Sequence, residues 1–378
     1  MNLVLDRPVQ IQRQIARPLP RRSDNRVGMW SSPAVIAPNN FVYKSLSDWA
    51  FNVAVGCSHA CRFCYVPSAA TIKQGPKLAE YGVKDPDAEW GDYVLLRPWD
   101  EEKFLSSLRA AENTPRSQLK RDGNRAVMYC STTDPYQVIH HPDPERQRML
   151  SAHARHLVRR SLELIRDRST LNVRILTRSP LARVDFDLFK SFGPRLLFGM
   201  SLPTLRNDLS KIYEPKAPAP SQRLATLRAA HEAGLNVYVA VAPTYPECNE
   251  ADLRATLQAV AEIKPVTIFH EPINIRAENV ERIQTHADEL GVALKTDVFE
   301  SRERWRDYAV AALQTVERLA AEVGVADRLH LWPDKSLGNV GGANRMPKPR
   351  EYLRWLRKSW SRVSEWPKEI PGKTLKSC

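Results

Sequence analysis

The chain has 378 residues, of which 43% are hydrophobic and 26% charged, a composition typical of a soluble globular protein. It has no apolar run long enough to span a membrane, and its N-terminus lacks the features of a secretory signal. The formal net charge of +13 favours contact with polyanions, nucleic acid above all, although a basic enzyme without such a partner explains it equally well.

Six short apolar segments rich in β-branched residues alternate with longer amphipathic segments along the chain. Each gap is long enough for a helix that crosses over to the next parallel strand. We therefore predict an α/β fold in which βα units form a full or partial barrel with the helices outside. The predicted strands span residues 51–56, 125–131, 172–177, 195–202, 236–243 and 265–270.

Polar loops follow these predicted strands. The carboxyl ends of parallel strands meet on the reactive face of a barrel, so the loops should lie close together. A cysteine-rich loop follows the first strand, and the sequences STTDPYQ, TRSP, SLPT, APTYPE and HEPIN follow the next five. Beyond residue 275 we expect helices over 278–290 and 302–323 and a further strand within RLHLWPD.

Three of the six cysteines, Cys57, Cys61 and Cys64, lie within eight residues, whereas the other three stand alone. So few cysteines without a secretory signal argue against a disulfide framework and for a reducing, cytoplasmic location with a metal or redox role. Structural zinc usually takes four protein ligands, and no second pair of cysteines is present. An iron–sulfur cube held by three thiolates instead leaves one iron free for another ligand.

The spacing of these cysteines after a strand resembles the cluster loop of the radical S-adenosylmethionine (SAM) superfamily. The sequences CRFCY, STTDPYQ, LTRSPLARVDFDLF and GMSLPT, with the stretch from YEPKAPAPS to PECN, resemble its spore photoproduct lyase-related, DNA repair photolyase-like branch. The resemblance implies a partial (β/α)6 TIM-like barrel of the radical SAM type, a [4Fe-4S] cluster on the three cysteines, and SAM on the uncovered iron. It further implies cleavage of SAM to a 5′-deoxyadenosyl radical that abstracts hydrogen from a substrate.

The resemblance also implies which residues contact SAM. Thr133 and Asp134 fall where the family contacts the amino group, and a carboxylate pairs well with an ammonium. Arg178 falls where the family binds the SAM carboxylate, with Ser201 adding a hydroxyl. Glu214 and Arg223 are expected to pair and brace their loop. Adenine contacts are implied for Phe63 and for the backbone around Ala242 and Pro243.

Three further residues are candidates for catalysis. Spore photoproduct lyases carry a cysteine at the end of the second strand that returns hydrogen to the product radical, and Cys130 lies close to that position. Alignment on Thr133 and Asp134 places Ser131 there instead, so Cys130 is either a hydrogen donor or a small buried apolar residue. His270 and Glu271 end the sixth strand, where they either act on the substrate or form a satisfied strand-end pair.

The two ends of the chain are basic. We expect an N-terminal extension over 1–50, the radical SAM barrel over 51–275, an α/β completion over 276–345, and a basic tail over 346–378. The tail interleaves Lys and Arg with Tyr352, Trp355, Trp360 and Trp366. It either stacks on exposed bases or docks on the core as an amphipathic helix.

Three functions are consistent with these observations. The first is a radical SAM enzyme acting on a nucleic-acid lesion, for example as a lyase in DNA repair; the second is a radical SAM enzyme that modifies a peptide or small molecule. The third is a non-catalytic, zinc-stabilised nucleic-acid-binding protein. Radical SAM chemistry would require a reduced flavodoxin or ferredoxin as electron donor. The sequence predicts no membrane partner and does not define an oligomeric state.

Overall fold

The computed structural model describes residues 24–39, 46–276 and 278–367. Part of the predicted N-terminal extension, the end of the basic tail and Cys378 therefore lie outside the described residues. The strands are β1 (Val27–Met29), β2 (Ile36–Pro38), β3 (Trp49–Phe51), β4 (Ala54–Gly56), β5 (Val94–Leu96), β6 (Ala126–Tyr129), β7 (Asn172–Thr177), β8 (Leu196–Ser201), β9 (Val237–Thr244), β10 (Thr267–Pro272) and β11 (Leu329–Leu331).

Helices separate most of these strands. Several begin at a side-chain N-cap. At the start of the helix Pro144–Arg168, for example, the Asp143 side chain accepts from the backbone N–H groups of Glu145 and Arg146. The α-helices are α1 (Gly75–Glu80), α2 (Glu101–Glu112), α3 (Pro144–Arg168), α4 (Phe186–Ser191), α5 (Asn207–Tyr213), α6 (Pro220–Glu232), α7 (Glu250–Glu262), α8 (Asn279–Leu290), α9 (Arg302–Val323), α10 (Val340–Ala343) and α11 (Pro349–Ser361).

Eight strands form the main sheet in the order β11-β10-β9-β8-β7-β6-β3-β2. Every neighbouring pair is parallel except β2–β3, which is antiparallel. Leu46 precedes β3 and Trp332 follows β11, so the two residues flank distant strands of the sheet. They nevertheless line the same two cavities. The sheet therefore curls towards closure, and the predicted α/β partial barrel is confirmed.

The first predicted strand, residues 51–56, is wrong as a single element. Trp49–Phe51 pairs with β6 in the main sheet, whereas Ala54–Gly56 pairs with β5 in a separate three-stranded sheet. Between them, the Asn52 side chain donates to Ser131 Oγ at 3.2 Å and accepts from the Thr132 N–H at 2.9 Å. The break in the strand ties the start of the cysteine loop to the loop after β6.

A buried arginine lies inside the barrel at the amino ends of the strands. Arg174 is 0% exposed, and its guanidinium carbon lies 5.1 Å from the ring centroid of Tyr238 and 5.1 Å from that of Trp366. Its terminal nitrogen donates to Ser364 Oγ at 3.4 Å. The C-terminal segment thus closes this end of the barrel and leaves the opposite end for a site.

The tryptophans of the predicted basic tail contact the protein. Trp355 Nε1 donates to Glu317 at 2.8 Å, Trp360 Nε1 to the Pro333 carbonyl at 2.7 Å, and Trp366 Nε1 to the Pro194 carbonyl at 2.8 Å. Over the described residues, the structure therefore favours the docked helix over a platform for stacked bases.

Candidate active site

A cavity of about 300 Å³ opens at the carboxyl ends of the barrel strands. Except for His270, all of the residues predicted to bind a cofactor or act in catalysis line it. They come from separate loops that the parallel strands bring to one face, as expected for a barrel. They are Cys57, Cys61, Phe63, Cys64, Cys130, Thr133, Asp134, Arg178, Ser201, Ala242, Pro243 and Glu271.

The three clustered cysteines form one wall of the cavity and carry free thiols. The loop starts at Gly56, whose φ of +91° and whose approach to the Tyr93 carbonyl leave no room for a side chain. Burial raises the pKa of each thiol, to about 12 for Cys61. Iron is bound by thiolates, so cluster binding would have to offset the free-energy cost of deprotonating these buried thiols.

Among the described residues, no three His, Cys, Asp or Glu side chains are grouped as around a single metal ion. All three clustered cysteines nevertheless line one cavity, and three thiolates are the donor set of a cube held at three corners. The chemistry of this wall therefore fits an iron–sulfur cluster with one open iron.

A buried ion triad supports the cysteine wall. Arg178 Nε donates to Glu214 at 2.5 Å, and Arg223 lies 2.6 Å from the other Glu214 oxygen. Burial would raise the pKa of Glu214, but the charges of Arg223 and Arg178 outweigh it and lower the pKa to about 2. The expected pairing of Glu214 with Arg223 is present. The guanidinium of Arg178 also stacks over Phe63, 5.7 Å from its ring centroid, and has two further nitrogens that can bind a carboxylate.

Asp134 is fixed by the neighbouring strand. Its Oδ1 accepts from Thr177 Oγ1 at 2.7 Å, and its Oδ2 accepts from the Arg178 N–H at 2.8 Å. Thr133 Oγ1 donates to the Gly56 carbonyl at 2.6 Å. The loop after β6 therefore holds the start of the cysteine loop and points a carboxylate into the cavity. We call Cys57, Cys61, Cys64, Asp134 and Arg178 the cysteine side.

A second group lines the cavity from β10 and β11. The Asn274 amide donates to Glu271 at 3.3 Å, and its buried Oδ1 has no hydrogen-bond partner among the described residues. Burial raises the pKa of Glu271 to about 7, against the opposing charge of Arg276. The Trp332 ring stacks on Phe269, with centroids 4.5 Å apart. We call Glu271, Asn274, Arg276, Trp332 and Asp334 the Glu271 side.

The other two catalytic candidates are placed differently. Cys130 lines the cavity, as does Ser131, and burial raises the pKa of the Cys130 thiol. His270 is 0% exposed and lies outside the cavity lining; its Nδ1 bonds the Val241 carbonyl at 2.8 Å. Burial lowers the pKa of His270 to about 4. Its role stays a prediction, and this setting favours a satisfied strand-end residue.

Sequence reasoning missed several cavity residues. His59 is buried within the cysteine loop, with Nδ1 3.4 Å from Asp134, and burial lowers its pKa. Trp332 and Asp334 follow β11, which the sequence did suggest as a strand. The rule that strand-end loops carry the site would have found these two residues; no motif in the sequence indicated His59.

These features define an enzyme built on a partial barrel, with a thiol-lined cavity at the strand ends. The model of the family described as the Radical SAM superfamily matches residues 51–260. The chain belongs to this superfamily, and the predicted resemblance is confirmed. Its cofactors are therefore a [4Fe-4S] cluster and SAM.

Two relatives show how far the sequence similarity extends. An uncharacterised protein of Acidianus two-tailed virus is 32% identical over 268 residues, which is 67% of this chain and 79% of the viral protein. An uncharacterised protein of Methanocaldococcus jannaschii is 23% identical over 72% of this chain and 87% of its own length.

Solved structures support the fold. A point mutant of spore photoproduct lyase is similar with a TM-score of 0.56 at 13% identity, over 86% of this chain and 87% of that one. Spore photoproduct lyase complexed with dinucleoside spore photoproduct gives 0.56 at 14% identity, over 84% and 87%. Among the described residues, none of the helices has the length and apolar character needed to cross a membrane.

Proposed function

We propose that Cys57, Cys61 and Cys64 hold the [4Fe-4S] cluster of a radical SAM enzyme whose substrate enters the same cavity. When bound and reduced, the cluster supplies the electron that cleaves SAM to a 5′-deoxyadenosyl radical, which abstracts hydrogen from the substrate. The observation that carries this proposal is the convergence of three free cysteines and the Glu214-held Arg178 on one cavity.

The cysteine side would bind SAM through its polar groups. Asp134 would accept from the amino group at Oδ2, which accepts one hydrogen bond, from the Arg178 N–H, and keeps a second lone pair. Its Oδ1 already accepts from Thr177 Oγ1 and from the Tyr136 N–H. Arg178 would bind the carboxylate with its terminal nitrogens while Glu214 holds its Nε. The supporting SAM contacts that we propose come from Phe63, Thr133, Ser201, Ala242 and Pro243.

Anaerobic reconstitution with iron and sulfide tests this proposal. After addition of dithionite and SAM, we expect brown protein with about four irons per chain that releases 5′-deoxyadenosine. Cys61→Ala should lose the cluster and the cleavage together. Cys248→Ala, which changes a free cysteine outside the cavity lining, should keep both. Colourless wild-type protein that contains zinc would refute the proposal.

We further propose a nucleic-acid lesion as the substrate. The fold similarity to spore photoproduct lyase and the net charge of +13 support this proposal. The Glu271 side adds an aromatic face at Trp332, an acceptor at Asn274, and a carboxyl group that holds its proton to about pH 7. These groups suit a neutral planar ring that both donates and accepts hydrogen bonds.

Cys130 is proposed as the hydrogen donor to the product radical, because its neutral thiol lines the cavity. Cys130→Ala should keep substrate-dependent release of 5′-deoxyadenosine but divert the product radical to side products. Ser131→Ala is the matched control, since that residue lines the same cavity. If Ser131→Ala diverts the product and Cys130→Ala does not, the donor assignment is wrong.

A peptide or small-molecule substrate is the second candidate, because the described tryptophans of the tail are docked on the protein. DNA binding that falls steeply between low and physiological salt supports the lesion, and indifference to DNA supports the second candidate. For either substrate, we propose a reduced flavodoxin or ferredoxin as electron donor and a reducing, cytoplasmic location for the free thiols.

A further inference from the structure

Helix α8, which lies beyond the matched family segment, contacts the backbone of the cysteine loop. Asn279, its first residue, is 1% exposed. Its Nδ2 donates to the Phe63 carbonyl at 3.2 Å and to the Asn274 carbonyl at 2.9 Å, and its Oδ1 accepts from the Arg276 N–H at 2.9 Å. The amide therefore ties the residue before Cys64 to the connection that follows β10.

Arg282 lies one helical turn further along α8 and is 7% exposed. Its guanidinium donates to the Cys64 carbonyl and forms an ion pair with Asp87. Asp87 is 7% exposed and belongs to the segment between α1 and β5. It also accepts from Ser68 Oγ, just beyond the cysteine loop. A buried charge pair thus lies against the backbone of a proposed cluster ligand.

A buried charge pair beside a proposed cluster ligand acts on the reduction potential of the cluster as well as on the stability of the fold. The reduction potential of an iron–sulfur cluster depends on nearby charge, on hydrogen bonds and on exposure to solvent. Reduction adds one negative charge to the cluster. A cation next to Cys64 therefore favours the reduced state, whereas a carboxylate there opposes it, and both effects are strong where water is excluded.

We propose that Asn279 and Arg282 are positioning residues that hold the cluster loop, and that the Arg282–Asp87 pair sets the reduction potential of the cluster. This inference rests on the proposed function, because it assumes a cluster on Cys57, Cys61 and Cys64. The two members of the pair act in opposite directions. A residue with only a structural role would not give a shift whose sign follows the charge removed.

The test is a redox titration of the anaerobically reconstituted full chain, followed by the electron paramagnetic resonance signal of the reduced cluster. Arg282→Met should lower the ratio of reduced to oxidised cluster at a fixed potential by about tenfold, which is about 59 mV for a one-electron couple. Asp87→Asn should raise that ratio. Arg282→Lys, which keeps the charge, should stay within about twofold of the wild type.

Arg304→Met is the matched control, because that arginine is 55% exposed and pairs with Glu300 on the surface. It should leave the ratio unchanged. Shifts of the same sign in Arg282→Met and Asp87→Asn, or no shift in either, would overturn the inference. If Arg282→Met fails to hold the cluster, Asp87→Asn still gives the sign of the shift, and Arg282→Lys still shows whether keeping the charge keeps the ratio.

The proposal that Asn279 holds the cluster loop is tested by a separate measurement, the rate of iron release. Asn279→Ala should release iron to a ferrous chelator several-fold faster than the wild type, whereas Asn113→Ala, which changes an exposed residue after α2, should not. Equal release rates would remove Asn279 from the inference. A wild-type protein without iron refutes the proposed function itself, while a loaded wild type with unshifted variants refutes only the role of α8.

Discussion

The cysteine side and the Glu271 side share one cavity but are built differently. On the cysteine side, Asp134 and Arg178 are bound by neighbouring strands and by a buried carboxylate. On the Glu271 side, Asn274 makes one long side-chain hydrogen bond, and its buried oxygen has no partner among the described residues. A cofactor that must be held in one orientation needs the first kind of wall. The unsatisfied Asn274 oxygen on the second wall can recognise a ligand that supplies its partner.

The strongest test of this contrast is to remove Glu214, the carboxylate at the centre of the ion triad. Glu214→Ala would leave Arg178 and Arg223 buried without their carboxylate, so we expect a loss of about 3–5 kcal/mol in the free energy of unfolding. Glu262→Ala, which breaks an exposed pair with Arg228, should cost less than about 1 kcal/mol. Urea denaturation measures both, and equal costs would contradict the buried triad.

The pH dependence of stability should reveal opposing groups at the end of β10. Folded Glu271 keeps its proton to about pH 7, against an ordinary pKa of 4.5, so it lowers stability as the pH rises between those values. Folded His270 has a pKa of about 4, against 6.5 ordinarily, so it lowers stability as the pH falls between those values. The two effects offset each other where they overlap.

Single substitutions should separate the contributions of Glu271 and His270 to the pH dependence of stability. Glu271→Gln should become less stable than the wild type as the pH falls from 6.5 towards 4.5, while His270→Asn should gain stability relative to the wild type over the same interval. Each change should reach at most about 3 kcal/mol. Thermal melts at stepped pH measure both, and slopes of the same sign in the two variants would contradict the assignment.

A smaller loss is expected from Asp134→Asn. The carboxylate accepts hydrogen bonds on both oxygens, and an amide would place a donor opposite one of these donors. We expect a loss of about 2 kcal/mol in the free energy of unfolding. Asp307→Asn on the exposed face of α9 is the control and should change little. An Asp134→Asn variant as stable as this control would show that the cysteine side is less ordered than described.

The smallest effect should come from the Glu271 side. Asn274→Ala removes one long hydrogen bond, so its cost in the free energy of unfolding should stay below about 1 kcal/mol. Asn279→Ala, whose amide makes three hydrogen bonds, should cost more in the same denaturation experiment. The reverse order would contradict the weak side-chain hydrogen bonding of Asn274 on the Glu271 side.

The regular elements were largely predictable from the sequence. Residues 172–177 and 302–323 have the predicted limits, and the second begins at a Ser301 cap and ends at Gly324, where φ is +80°. The three-stranded sheet was not predicted, because its strands have three residues each and find partners far along the chain. Periodicity cannot identify strands this short.

The candidate site was likewise predictable from the sequence only in part. A compact motif indicated the cysteines, and the order of strands brought Asp134, Arg178 and Glu271 to the same cavity. Sequence alone could not show that His270 faces away from the cavity, because its direction depends on strand register. The contacts of α8 were equally hidden, since Asn279 and Phe63 are 216 residues apart in sequence.

The closure of the barrel around Arg174 has a consequence for biogenesis. Arg174 and Ser364 are separated by 190 residues, so the floor of the barrel stays open until the ribosome has added the later segment. At ordinary rates of translation that interval lasts about 10 to 40 s. We therefore expect iron delivery to follow synthesis, because a nascent chain would offer its thiols from an unfinished scaffold.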